Sequence, residues 1–102
     1  MRLAELTQGT GAEAQTSRDP EIAGLTADSR QVGPGFLFAA LSGTRTDGSR
    51  FVAEAEAKGA AAVLAGLDTP IETSLPVLRA ADPRRALALV AARFHGPQPE
   101  RV

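Results

Sequence analysis

The chain has no cysteine, one histidine and one lysine, and each scarcity closes a branch of chemistry. Without cysteine there are no disulfides, no thiolate nucleophile and no cysteine-ligated zinc, and a cytoplasmic setting is compatible with that composition. His95 stands beside Gly96 at the end of an expected helix. A lone histidine there serves as a C-terminal helix cation, so no metal site is expected. Lys58 precedes Gly59, the reverse of the Gly-Lys-Ser/Thr order that a Walker-type phosphate loop requires. No Gly-x-Gly-x-x-Gly opens a helix either, because Gly33-Pro34-Gly35 leads into a strand. ATP binding is therefore not expected of these residues. Long apolar runs are missing: Met1-Arg2-Leu3-Ala4-Glu5-Leu6 has no signal-peptide core, and no stretch approaches spanning length. An excess of one charge is missing too. At a net charge of −1 the chain carries no electrostatic footprint for nucleic acid or an anionic membrane.

What is present fits a single domain over residues 1–102, 43% apolar, large enough for one core but not for a divided cleft. Leu3 and Leu6 suit a short helix over 3–7. Residues 9–20 are Gly, Ala, Ser, Thr and charge without period, which reads as a flexible surface loop. Short strands are expected at Ile22–Thr26 and, after the Gly33-Pro34-Gly35 turn, at the apolar run Phe36–Leu41. Ser49–Lys58 reads as a helix with Ser49 as N-cap, Phe51, Val52 and Ala55 on one face, Glu54 four residues before Lys58, and Gly59 at C′. Ala60–Ala65 is the next strand, completing a parallel strand–helix–strand unit. A connection with a turn at Asp68-Thr69-Pro70 leads to a strand at Leu75–Ala80, where Pro76 is confined to the first positions or an edge. The last helix has Asp82 as cap, Pro83 at N1 and Leu87, Val90, Ala91 and Phe94 at helical spacing; Gly96-Pro97 stops it. The expected fold is a small α/β domain with a mixed, largely parallel sheet of three to five strands and flanking helices.

Two polar turns stand out, Thr26-Ala27-Asp28-Ser29-Arg30 and Gly43-Thr44-Arg45-Thr46-Asp47-Gly48. Both leave expected strands, and the second leads into a helix N-terminus. In open α/β sheets ligands lie at that edge, and free helix N–H groups suit anions. A plainer account stands beside this one. Asp28 closes an Asx-turn, Arg30 pairs with a surface carboxylate, and residues 44–46 are a solvated loop. Neither turn has a histidine neighbour or a Gly-x-Ser-x-Gly elbow, so no catalytic residue is expected and the region reads as a docking surface. Arg84 and Arg85 sit where the macrodipole disfavours cations, and either contact a partner or form a solvated face.

Taken in order, Leu25-Thr26-x-Asp28-Ser29-Arg30, Pro34-Gly35-x-Leu37-Phe38-x-Ala40-Leu41-x-Gly43, Asp47-Gly48, Phe51-x-x-x-Ala55-x-x-x-Gly59-Ala60, Asp82-Pro83-Arg84-x-Ala86-Leu87-Ala88 and Ala91-Ala92-Arg93-Phe94 form a pattern that resembles the N-terminal domain of the Mur ligases. It is most similar to the branch that adds meso-diaminopimelate or lysine as third residue of the peptidoglycan stem. The resemblance implies cytoplasmic enzymes of bacterial cell-wall biogenesis, with roles in cell shape and division, whose first domain binds the UDP end of UDP-N-acetylmuramoyl-L-Ala-D-Glu. It places substrate contacts on Ala27, Ser29, Thr44, Arg45 and Thr46. It further implies that the ATP- and magnesium-dependent chemistry belongs to a central domain, that a C-terminal domain receives the amino acid, and that a first domain alone is inactive and holds no cofactor. Phe36 stands where the family usually has Asp, and Phe94-His95-Gly96 where it has Phe-Tyr-Gly. Two alternatives accompany this reading: the first domain of the D-Ala-D-Ala-adding branch, and a non-catalytic interaction module sharing the fold.

Overall fold

In the computed structural model, residues 2–14, 19–41, 49–67 and 73–95 are described. The expected turns at 43–48 and 68–70 and the Gly96-Pro97 stop lie outside them. The elements run α1 (Leu3–Thr7), β1 (Glu13–Ala14), β2 (Gly24–Thr26), β3 (Phe36–Ala39), α2 (Ser49–Ala57), β4 (Ala62–Gly66), β5 (Val77–Ala80) and α3 (Pro83–His95). One five-stranded sheet forms in the order β1-β5-β4-β3-β2. Strands β2 to β5 are parallel neighbours, and β1 closes the far edge antiparallel to β5. The mixed, largely parallel α/β architecture expected from the sequence is thus the one found.

Alternation along the central strands divides the core between the sheet's two faces, because successive side chains point to opposite sides. Leu37, Ala39, Ala62, Leu64, Leu78 and Ala80 pack with Leu3 and Leu6 of α1 and Ala86 and Val90 of α3. Phe38, Ala40 and Val63 pack on the other face with Val52 and Ala55 of α2 and with Val32. Burial on both faces explains why β3 and β4 read as unbroken apolar runs.

The helix ends follow local chemistry. Asp82 Oδ1 accepts from Arg85 N at 3.1 Å, capping α3 as expected, with Pro83 first in the helix. Helix α2 ends in a Schellman motif: Gly59 N donates to Glu56 O and Ala60 N to Ala55 O, both at 3.0 Å, with Gly59 at φ 97°. Ser49 is the first helical residue rather than the residue before the helix. Pro76 lies just ahead of β5 and takes part through its carbonyl, which accepts from Val63 N at 2.9 Å.

The described part of the expected loop, residues 9–14 and 19–20, differs from a surface loop. Thr10 and Ala12 are buried, Glu13 and Ala14 pair with Arg79 and Leu78, and Asp19 Oδ1 accepts from Ala4 N at 2.8 Å at the start of α1. A two-residue strand is too short to show period-2 alternation, and its stability comes from a distant partner. Phe51 also departs from expectation. It is 41% exposed, whereas Val52 and Ala55 are fully buried. At about 100° per residue Phe51 falls to one side of the stripe those two define.

Candidate functional site

Strand β2 ends at Thr26, and the chain turns at once. Asp28 N donates to Thr26 Oγ1 at 3.0 Å, Arg30 N donates to Asp28 Oδ1 at 2.9 Å, and Gln31 N donates to Asp28 O at 2.9 Å. The second of these is an Asx-turn, and it starts one turn of 3-10 helix over Ser29–Gln31. Arg30 adds a bidentate contact, Nε to Oδ1 and Nη2 to Oδ2, both 3.1 Å. The guanidinium and the Arg30 amide together hold the Asp28 carboxyl below its ordinary range, and the same pairing raises Arg30. The plainer account of Asp28 and Arg30 is therefore the one observed: they fix the turn, each acting on the other.

Ser29 is different. It is 6% exposed, and its hydroxyl and carbonyl oxygens are engaged by Glu54 of α2 and by Lys58 just after it. Ser29 Oγ donates to Glu54 Oε1 at 3.3 Å, while Lys58 Nζ donates to Ser29 O and to Glu54 Oε2, each at 3.2 Å. The i,i+4 pair expected on α2 is present, and it reaches across to the turn as well.

These elements enclose a hollow of about 620 Å³, within the usual range for small-molecule sites. Ala27, Asp28, Ser29 and Arg30 form one wall; Phe38, Ala39, Ala40 and Leu41 form the floor at the end of β3; Phe51 and Glu54 of α2 form the other wall. The hollow opens at the carboxyl ends of β2 and β3, the sheet edge named from the sequence. Ala27 and Ser29 are brought together on it. Thr44, Arg45 and Thr46 lie outside the described residues, while Leu41 before them and Phe51 after them both line the hollow. Phe51 and Glu54 escaped the sequence reading as site residues, since both were assigned to the stability of their own helix.

The chemistry on offer is recognition. An apolar floor and a half-exposed aromatic suit a flat ring, and Ser29, Glu54 and the turn backbone supply a few placed polar groups. Ser29 Oγ faces a carboxylate, not an imidazole, so among the described residues of the lining it forms no nucleophile–base pair of the serine-hydrolase kind. Among the described residues no cluster of three or more His, Cys, Asp or Glu could hold a metal ion, and no helix is long and apolar enough to cross a membrane.

Residues 21–95 match the family model for the Mur ligase family, catalytic domain. The chain belongs to the Mur ligase family. Its curated relatives include the UDP-N-acetylmuramoyl-L-alanyl-D-glutamate–2,6-diaminopimelate ligase of Caulobacter vibrioides, 57% identical over 81 residues, which are 79% of this chain and 17% of that protein. The protein of the same name from Brucella melitensis is 46% identical over 101 residues, 98% of this chain and 21% of that one. Among solved structures, MurF from Acinetobacter baumannii superposes with a TM-score of 0.67 at 30% identity, covering 85% of this chain and 19% of its own. The chain thus spans about a fifth of the length of the relatives it matches.

Proposed function

We propose that this chain is the first, nucleotide-gripping domain of a diaminopimelate-adding Mur ligase, and that its hollow takes the uridine end of UDP-N-acetylmuramoyl-L-Ala-D-Glu. The observation that carries the reading is the convergence of the Ala27–Arg30 turn, the end of β3 and Phe51 on one hollow at the carboxyl rim of the sheet. Ala27 and Ser29 contact the uracil and ribose, and Thr44, Arg45 and Thr46 offer donors to ribose or diphosphate oxygens. No residue of this domain is catalytic. The parent ligase uses ATP and Mg2+ to activate the glutamate carboxylate, and its central and C-terminal domains are the partners of this one in the cytoplasm. Gripping the nucleotide far from the reacting carboxylate is a use of remote binding energy to position the chemistry.

Calorimetric titration of the 102-residue chain tests this. UDP and the UDP-sugar dipeptide should bind saturably, ATP should not, and Ser29→Ala should weaken UDP about tenfold, as loss of roughly one good hydrogen bond would. A chain that binds neither uridine nucleotide would sink the reading and leave the interaction module. The MurF likeness favours a second reading, the D-Ala-D-Ala-adding branch, but 30% identity stands against 46% and 57% for the diaminopimelate ligases. Assaying the full-length ligase for incorporation of each amino-acid substrate separates the two.

A further inference from the structure

Glu54 and Lys58 do more than an exposed i,i+4 pair requires. Such a pair stabilises an isolated helix only slightly and has no need of a third partner. Here the two carboxylate oxygens divide their work. One accepts from the Ser29 hydroxyl, the other from the Lys58 ammonium, and that ammonium also donates to the Ser29 carbonyl. The result is a closed ring of contacts between α2 and a turn 25 to 29 residues earlier, in which both Ser29 oxygens are held. Glu54 and Ser29 both line the hollow.

We infer that Glu54 and Lys58 are positioning residues that set the hydrogen-bonding polarity of Ser29, and that Glu54 thereby selects the base. This rests on the uridine-binding reading above. A carboxylate paired with an ammonium can only accept, and a serine hydroxyl has a single hydrogen. With that hydrogen committed to Glu54, Ser29 Oγ meets a ligand through its lone pairs alone. The matching ligand group is an N–H donor. Uracil supplies one as its imide N3–H, whereas the corresponding ring nitrogen of cytosine is unprotonated and sets lone pair against lone pair. Lys58 acts one step further back. It donates to the carbonyl of Ser29 and to Glu54 Oε2, so it fixes where the acceptor lies without touching the base.

Parallel titrations of the chain with UDP and CDP test both assignments, with the unfolding midpoint followed in each variant. Wild type should prefer UDP by about tenfold or more, the effect of one well-placed hydrogen bond. In Glu54→Gln the amide N–H₂ can donate to Ser29 Oγ, freeing the hydroxyl hydrogen to turn outward. The UDP-over-CDP ratio should then collapse toward one while the unfolding midpoint stays near wild type, since Glu54 is 40% exposed. Lys58→Met should weaken UDP and CDP by a similar factor, leaving the ratio intact, and Lys58→Arg should recover most of the loss. A ratio unchanged in Glu54→Gln, or a wild type indifferent to the base, overturns the selective role of Glu54. An arginine no better than methionine overturns the role of Lys58. Failure of wild type to bind UDP at all removes the uridine reading itself, and is distinct from each of these results.

Discussion

Asp28 and Ser29 are adjacent, yet they serve opposite ends of the same task. Asp28 spends both carboxylate oxygens on Arg30 and on a backbone amide, so it shapes the turn and has little left for a ligand. Its pH signature follows. The Arg30 hydrogen bonds lower the Asp28 carboxyl in the folded chain, so whatever this contact contributes is complete above the ordinary aspartate value of about 3.9. It is lost as pH falls through the depressed folded value, and the turn should not respond to pH between about 5 and 8. Carbon-detected NMR of the Asp28 carboxyl should show a midpoint below that of an unstructured aspartate, and Arg30→Gln should raise it. A midpoint indifferent to that substitution would mean that the backbone amide alone sets it. Phe36 shows another residue-level bargain. A Cβ on Gly24 would come within 2.8 Å of the Phe36 ring, and one on Gly33 within 3.4 Å. The Phe36 ring thus occupies space that two glycines leave open. Gly24→Ala should therefore cost about 1 kcal/mol by displacing that ring, measurable by chemical denaturation, and Phe36→Leu should relieve most of it.

Helix α2 is the element on which the site depends, because it closes one core face and supplies one wall of the hollow. Its C-terminal stop is tightly constrained: Gly59 has φ 97°, and an added Cβ would lie 3.0 Å from the Pro34 Cα. Gly35 N also donates to Gly59 O at 2.9 Å, tying the stop to the turn that opens β3. Gly59→Ala should lower unfolding stability by about 2–3 kcal/mol in denaturant titration, from strained φ and a backbone contact that cannot give way. A loss under 1 kcal/mol would show that the motif relaxes. This same helix marks how far the sequence was legible. Its start, its Gly59 stop and the Glu54–Lys58 spacing are local signals, and they were read within a residue. The N-terminal cap of α3 and the parallel β3–α2–β4 unit were legible for the same reason. What escaped was long-range. Strand β1 exists because β5 has an open edge for Glu13 and Ala14 to join. Glu54 matters to the site because Ser29, 25 residues away, folds back against it. Neither fact is written in spacing along one element.

Across the whole molecule the sheet separates two packing problems, and only one of them touches the hollow. Val90 of α3 is fully buried among Leu3, Leu6, Leu64 and Leu78 on the face away from α2. Val52 of α2 is equally buried, but among Phe38, Ala40 and Val63, and its helix carries Phe51 and Glu54. Truncating either valine to alanine removes similar apolar bulk and should cost about 2 kcal/mol in a single cooperative transition. Because the two side chains lie on opposite faces with no shared neighbours in the core, the double substitution should be additive within about 0.5 kcal/mol. Their effects on ligand should diverge. At a temperature where all variants remain folded, Val90→Ala should leave UDP affinity unchanged, whereas Val52→Ala should weaken it several-fold, because a shift of α2 moves Glu54 and Phe51 relative to the Ser29 turn. Equal affinities in the two variants would mean that the hollow is set by the turns and strand ends alone. Equal weakening in both would mean that the sheet transmits strain between its faces, and that the division drawn from the packing is not a functional one.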